Sequence, residues 1–136
     1  MNFLKNKYFY LRYLMAGGTA FIINMAAMWL FSDFLGMSHP GFESNMAHLL
    51  ATECAILWGF NAHYFWTWKN SPGDYLRKLK KFHLFALSSM LLRQSLFFVL
   101  NFFGFHWLIA TLIPIVIIVI INYLGYEKFV FTTPPP

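Results

Sequence analysis

FNAHYFWTWKNSPGDYLRKLKKF, residues 60–82, lies at the middle of the chain between two long apolar segments. It contains five of the chain's ten Lys and Arg residues, and aromatic side chains lie on both sides of the charges. Basic residues beside apolar segments stay on the cytosolic side of a membrane, and Trp and Tyr collect at the membrane–water interface. The stretch therefore predicts a cytosolic connection between two membrane-inserted halves.

The composition also indicates a membrane protein. Of the 136 residues, 59% are hydrophobic and 11% are charged, whereas soluble domains have about 45–50% and about 25%. A formal net charge of +5 would suggest nucleic acid in a soluble protein, but here the charges lie between apolar segments and have no folded surface on which to form a groove. We therefore expect contact with the lipid bilayer and none with nucleic acid.

Four stretches have the roughly 20 mostly apolar residues that a spanning helix needs. They cover residues 13–35, 46–66, 82–103 and 107–126. Residues 67–81 then form the basic cytosolic loop, and TTPPP at residues 132–136 predicts a disordered tail. The expected fold is an all-α integral membrane protein with four transmembrane helices in a single domain, residues 1–136.

Positive charge predicts the orientation of these helices. Outside the spans the basic residues are Lys5, Lys7, Arg12, Lys69, Arg77, Lys78, Lys80, Lys81 and Lys128. All of them precede the first span, follow the fourth or lie between the second and third, and the two other connections contain no Lys or Arg. Because Lys and Arg favour the cytosolic side, we expect a multi-pass protein of the cytoplasmic membrane with both termini in the cytosol.

The ends of the second and fourth spans resemble each other. Phe60 is followed by the triplet WTW at residues 66–68, and Tyr123 is followed by FVF at residues 129–131. The spacing from the first aromatic residue to the triplet is the same in both. Each pattern places an aromatic residue and an aromatic, β-branched, aromatic triplet at the predicted cytosolic boundary.

The first and third spans also match when they are aligned without gaps. The alignment pairs Tyr13 with Phe82 and Asn24 with Arg93. It needs a slightly larger shift along the chain than the match of the second and fourth spans, and a shorter second outer connection would account for the difference. The sequence therefore predicts two helical hairpins of the same orientation, a parallel repeat of the kind found in transporters.

Arg93 is the most informative single residue. It lies eleven residues into the third span, which at about 1.5 Å per residue puts its backbone roughly 16 Å deep, near the midplane of a core about 30 Å thick. An unpaired charge at that depth costs at least about 2.5–3.5 kcal/mol. Glu53 on the second span and Asn24 on the first lie at similar depth, so the three residues predict one polar layer.

Two interpretations of this layer remain open. In the first, Glu53 and Arg93 neutralise each other, Asn24 hydrogen-bonds to the pair, and the layer only fixes helix packing. In the second, Arg93 faces a water-filled groove and binds a phosphate in transit, with Glu53 releasing or replacing it. Ionisable residues inside a membrane are candidates for function.

The basic loop likewise has two interpretations. Lys and Arg beside a membrane set topology and attract anionic headgroups, at about 1 kcal/mol per charge. However, Arg77, Lys80 and Lys81 are spaced i, i+3 and i+4, so on a helix they share one face. With Arg12 at the equivalent start of the first span, they could form a cytosolic funnel for phosphate.

The sequence does not indicate catalysis or a bound cofactor. His48 and His63 are too far apart on one helix to share a metal ion, and no carboxylate and His pattern has ligand spacing. No connection between spans exceeds about fifteen residues, and no nucleophile–base grouping is visible. We expect neither an enzyme nor a metal site.

The chain resembles the GtrA-like family of small four-helix membrane proteins. The resemblance rests on YLRYLMAGGTAFIINMAAMWLF at residues 10–31, FNAHYFWTWKN at residues 60–70 and NYLGYEKFVF at residues 122–131. It covers nearly the whole chain. The polar position of the first span, commonly acidic in the family, is Asn24 here, which argues against a mechanism that needs a carboxylate on that span. In the second motif His63 and Tyr64 replace an expected basic residue.

The family resemblance implies translocation of a polyprenyl-phosphate-linked monosaccharide to the outer leaflet for cell-surface polysaccharide synthesis. The residues of interest for the phosphate headgroup are Arg93, Glu53, Asn24, Arg12, Arg77, Lys80 and Lys81. An alternative is a membrane anchor that recruits a partner glycosyltransferase through the basic loop and transports nothing itself.

A second alternative is a small multidrug-type exporter, which also has four helices and a membrane glutamate. The strong charge bias opposes it, because the antiparallel type needs a weak bias, and Arg93 would repel a cationic drug.

Four short helices also leave little interior for a whole pathway, which predicts a homo-oligomer.

Overall fold

The computed structural model describes residues 3–37, 42–69 and 71–131, and its regular elements within these ranges are all helical. The α-helices are α1 (Phe3–Trp29), α2 (Phe42–Ala62), α3 (Tyr75–Phe102) and α4 (Trp107–Gly125). Three of them continue into a single π-helical turn, and these turns are π1 (Leu30–Phe34), π2 (His63–Thr67) and π3 (Tyr126–Val130). The expectation of an all-α protein is confirmed.

The chain divides into two compact units, Met1–Asn70 and Ser71–Pro136. The first contains the helix pair α1 and α2, and the second contains α3 and α4. In the first unit the early part of α1 lies beside the end of α2, and in the second the early part of α3 lies beside the end of α4. Each unit is therefore an antiparallel helical hairpin.

Three of the helices in the described residues are long and apolar enough to cross a membrane: Tyr8–Phe34, Tyr75–Phe102 and Leu108–Val130. Helix α2 is not among these candidates within the described residues, and polar side chains such as His48, Glu53 and Asn61 interrupt its apolar sequence. Large apolar side chains are widely exposed in both units, as expected where lipid replaces water as the solvent. The chain is a multi-pass membrane protein.

The helices extend beyond the predicted spans, mainly at their N-termini. Helix α1 begins at Phe3 and α3 at Tyr75, so residues 75–81 of the predicted loop are helical. Hydropathy marks only the lipid-facing length of a helix, whereas Lys and Arg are good helix formers. Asp74 also caps α3, because its side chain accepts a hydrogen bond from the Arg77 amide at 3.0 Å. The predicted tail, residues 132–136, lies outside the described residues.

The two hairpins end in the same way, at the positions that the repeat aligns. The Trp68 amide donates to the His63 carbonyl at 2.7 Å and closes π2, while the Phe131 amide donates to the Tyr126 carbonyl at 2.8 Å and closes π3. Trp68 and Phe131 are both buried. Each π-turn thus directs the last aromatic residue of its hairpin inward.

A ring from the first helix of each hairpin stacks on its π-turn. Tyr13 stacks on His63 with ring centroids 5.2 Å apart and planes at 20°. Phe82 stacks on Tyr126 at 4.4 Å and 24°. The two alignments found in the sequence therefore pair residues with the same geometric role.

Candidate functional site

A cavity of about 260 Å³ lies between α3 and α4 in the second hairpin. Its lining residues are Arg93, Gln94, Phe97, Thr111, Pro114 and Ile115. One part of the wall carries a guanidinium, an amide and a hydroxyl group, and the other part carries a phenyl ring, a pyrrolidine ring and an aliphatic side chain. The cavity can therefore contact a charged group and an apolar group of one ligand at the same time.

The position of Arg93 follows from the face of α3 that packs on α4. Phe82, Ser89 and Arg93 are spaced i, i+7 and i+11, so they fall on one side of the helix. Phe82 and Ser89 are buried against α4, whereas Arg93 is exposed. The contact between the helices thus opens at the turn that carries Arg93.

A polar pair formed by buried Ser89 and half-buried Asn122 lies one turn before Arg93. The Ser89 hydroxyl contacts the Phe85 carbonyl at 2.8 Å and makes a short hydrogen bond to Asn122 Oδ1 on α4. The sequence does not predict this pair. A serine and an asparagine inside apolar helices are the available signal, but only the structure shows that they meet.

Pro114 is one of the apolar residues that line the cavity. It is fully buried and lies inside α4. Proline has no amide hydrogen, so the carbonyl of Ala110 loses its usual donor in the helix. Membrane helices tolerate such positions where neighbouring groups satisfy the backbone or where it borders a cavity.

The predicted polar layer is distributed over both hairpins. Asn24 is half-buried on α1 and Glu53 is exposed on α2, and both belong to the first hairpin. Arg93 belongs to the second, where the structure brings it together with Gln94 and Thr111. The sequence analysis identifies neither Gln94 nor Thr111 as part of this site, because the position of Thr111 depends on the packing of α4. The pairing of Glu53 with Arg93 stays a prediction.

The basic residues at the start of α3 form an exposed surface. Arg77, Lys80 and Lys81 are all exposed, and the helix places them on one face as their spacing predicts. Lys81 lies twelve residues before Arg93, which is about 18 Å along the helix axis. Arg12 is exposed on α1 in the first hairpin. We call Arg77, Lys80 and Lys81 the basic face.

Lys78 differs from these neighbours. It is 4% exposed, and its ammonium group donates to the Ser71 carbonyl at 2.8 Å and contacts Ser71 Oγ at 2.7 Å. The sequence groups it with the topological charges of the loop. The repeat offers a signal, because it aligns Lys78 with Phe9, a packed aromatic residue.

Among the residues that the structure describes, no group of three or more His, Cys, Asp and Glu side chains is close enough to hold a metal ion. The chemistry available in the cavity is therefore that of a guanidinium with neutral hydrogen-bonding neighbours. Such a group binds carboxylate or phosphate through paired hydrogen bonds.

Comparison with known proteins agrees with the fold. Residues 12–131 match the family model for the transmembrane domain described as GtrA/DPMS. The chain is 31% identical over 107 residues to a dolichol-phosphate mannosyltransferase from Pyrococcus furiosus. That alignment covers 78% of this chain but only 29% of the relative. The family resemblance seen in the sequence is thereby confirmed, and the chain belongs to the GtrA/DPMS transmembrane domain family.

Proposed function

We propose that the chain moves a polyprenyl-phosphate-linked monosaccharide across the cytoplasmic membrane. In this proposal its four helices span the membrane as two hairpins with both termini in the cytosol. The family match and the dolichol-phosphate mannosyltransferase relative support a substrate built from a lipid, a phosphate and a sugar. The chain itself breaks no bond; a separate glycosyltransferase makes the lipid-linked sugar.

The open cavity beside Arg93 carries this proposal. A charged side chain near the centre of a membrane is costly, so an exposed Arg93 beside a cavity with both polar and apolar walls is better explained by a ligand than by packing. The planar guanidinium matches two phosphate oxygens. Phe97 and Ile115 line the same cavity and suit the first isoprene units of the lipid.

The basic face supplies the cytosolic end of the path. Its three charges each attract an anionic headgroup by about 1 kcal/mol, and Arg12 adds a fourth from the first hairpin. Arg93 then receives the phosphate about 18 Å deeper along α3. Glu53 and Asn24 complete the layer in this proposal: the carboxylate replaces the phosphate on Arg93 after release, and the amide hydrogen-bonds to the headgroup.

A headgroup-translocation assay tests the proposal. The purified protein is reconstituted in vesicles with fluorescent polyprenyl-phosphate glucose or mannose, and the outward movement of the headgroup is followed by chemical quenching. We expect Arg93→Gln to slow translocation at least tenfold, because a charge-assisted hydrogen bond contributes about 1.5–3 kcal/mol. Lys69→Gln is the matched control, since it removes an exposed charge outside the cavity and the basic face. Wild-type rates in a folded Arg93→Gln, Glu53→Gln double variant would contradict the proposal.

A membrane anchor for a glycosyltransferase is the second candidate. The observation that favours it is the relative, a protein named as a mannosyltransferase of which the alignment covers only 29%. An anchor would bind its partner enzyme through the basic face and would leave headgroups where they are. Replacing Arg77, Lys80 and Lys81 by Gln would then abolish co-purification of the enzyme, while vesicles would show no protein-dependent translocation at all.

A further inference from the structure

The Lys78 ammonium joins three parts of the second hairpin. Lys78 lies in the first turn of α3, and its ammonium reaches back to both oxygens of Ser71. The same ammonium lies 5.8 Å from the ring centroid of Phe131, at the end of π3. Ser71 and Phe131 also contact each other directly, because the Ser71 hydroxyl makes a short hydrogen bond to the Phe131 carbonyl.

The segment between Ser71 and α3 is shaped around the Lys78 side chain. Gly73 has a φ of +113°, a conformation that favours glycine, and a Cβ there would lie 3.4 Å from Lys78 Cε. Asp74 follows at once and caps α3. The segment 71–74 thus runs over the aliphatic stem of Lys78 and turns directly into the helix.

In the first hairpin an uncharged side chain covers the last aromatic ring of the π-turn. The residue equivalent to Lys78 is Phe9, whose ring meets Trp68 edge-on at 5.1 Å, and Trp68 is the equivalent of Phe131. An aromatic side chain is therefore sufficient to cover the last ring of a π-turn. What lysine adds in the second hairpin is its pair of contacts to Ser71.

A buried ammonium is costly unless its hydrogen bonds are satisfied. Here the ammonium contacts a carbonyl, a hydroxyl and an aromatic face instead of lipid headgroups. The preceding residue, Arg77, remains exposed. Lys78 therefore makes contacts within the protein, whereas Arg77 in the same turn faces outward.

We propose that Lys78 is a positioning residue that ties residues 71–74 to the end of π3 and so fixes the orientation of the basic face. We call the contacts of the Lys78 ammonium with Ser71 and Phe131 the tether. It holds the inner side of the first turn of α3, which keeps Arg77, Lys80 and Lys81 turned outward. Its effect on headgroup capture rests on the proposed function, whereas the tether itself does not.

Hydrogen–deuterium exchange of the full chain in detergent tests the tether. In Lys78→Met we expect peptides covering residues 71–77, where the Arg77 amide donates to Asp74, and residues 126–131 to exchange at least tenfold faster. Lys78→Phe separates the two contacts: the ring covers Phe131 as Phe9 covers Trp68, so residues 126–131 stay protected while residues 71–77 exchange faster. Lys78→Arg retains the charge and the donors, and should restore most of the protection.

Lys80→Met is the matched control, because it removes one charge from the same part of α3 without touching Ser71. It should weaken binding to vesicles containing anionic lipid and leave exchange at residues 71–77 unchanged. Lys78→Met should accelerate that exchange, and it should weaken vesicle binding without changing its salt dependence, because the basic face keeps its three charges but loses its fixed orientation. If Lys78→Met does not fold, Ser71→Ala removes the hydroxyl contacts and should accelerate exchange in the same two peptides. Unchanged exchange in both Lys78→Met and Ser71→Ala would overturn the tether, whatever the translocation assay shows.

Discussion

The Phe85 ring of α3 packs against Gly125 at the end of α4. A Cβ added to Gly125 would overlap the Phe85 ring, so the phenyl ring rests directly on the glycine backbone. In the first hairpin the repeat aligns these two residues with Ala16 and Ala62, and Ala16 is fully buried. The second hairpin thus has a phenylalanine and a glycine where the first hairpin has two alanines.

This difference in side-chain size between the two hairpins can be tested by a rescue experiment. Gly125→Ala forces a methyl group into the Phe85 ring and should destabilise the protein by about 1–3 kcal/mol, the usual cost of overpacking. Adding Phe85→Ala recreates the alanine pair of the first hairpin and should recover most of that loss. Thermal unfolding in detergent measures both effects.

Gly18→Ala provides the control for the glycine experiment. It lies in α1 with no atom within 4 Å of its added Cβ, so it should leave the melting temperature unchanged or raise it slightly. A Gly125→Ala variant as stable as Gly18→Ala would show that Phe85 does not rest on Gly125.

At the scale of single residues, the sequence identifies positions better than partners. Arg93 could be recognised because a charge in an apolar segment is conspicuous, and the Tyr13 and Phe82 pair followed from the repeat. Lys78 and Ser89 could not be interpreted correctly, because their burial depends on residues 71 and 122 that are distant in the sequence or in a loop. Side-chain burial is a property of the packed helices.

At the scale of helices, Pro114 is the residue that sets the geometry of α4 beside the cavity. Pro114→Ala restores an amide donor for the Ala110 carbonyl and removes the clash of the ring with it. We expect a more stable helix and a higher melting temperature, together with a translocation rate lowered about tenfold because the groove beside Arg93 closes. Both are measured on the same reconstituted protein.

Val116→Ala is the control for this helix experiment. Val116 is exposed on α4 and does not line the cavity, so its replacement leaves the backbone hydrogen bonds of α4 unchanged and should leave both stability and translocation close to wild type. If Pro114→Ala raised stability and kept full translocation, the proline would be an architectural feature with no part in the cavity.

Helix position was predictable from the apolar pattern, but helix ends were not. The four apolar stretches of the sequence largely coincide with the four α-helices, since a run of about 20 apolar residues favours a helix long enough to cross a bilayer. The start of α3 at Tyr75 depends instead on a capping side chain, Asp74. The π-turns after α1, α2 and α4 depend on backbone hydrogen bonds that leave no distinct pattern in the sequence.

At the scale of the whole molecule, the two hairpins share their ends and differ in their middle. The π-turns and stacked rings match at the positions that the repeat aligns. Around Arg93 the match fails: Gln94 corresponds to Met25 and Pro114 to Ala51, which is fully buried. The two hairpins thus share their packing at the ends and are asymmetric around Arg93.

This asymmetry can be tested by exchanging the two central polar residues. The double variant Asn24→Arg, Arg93→Asn keeps the composition and puts the arginine at the equivalent position of the first hairpin. Because Met25 and Ala51 replace the amide and the proline there, we expect translocation to fall at least tenfold, as in the single variant Arg93→Asn. Arg93→Lys, which keeps a charge in the original cavity, should retain more activity than either. If the exchanged variant instead recovered the wild-type rate, the layer would need one positive charge at the midplane in either hairpin, and the cavity between α3 and α4 would not be the phosphate site.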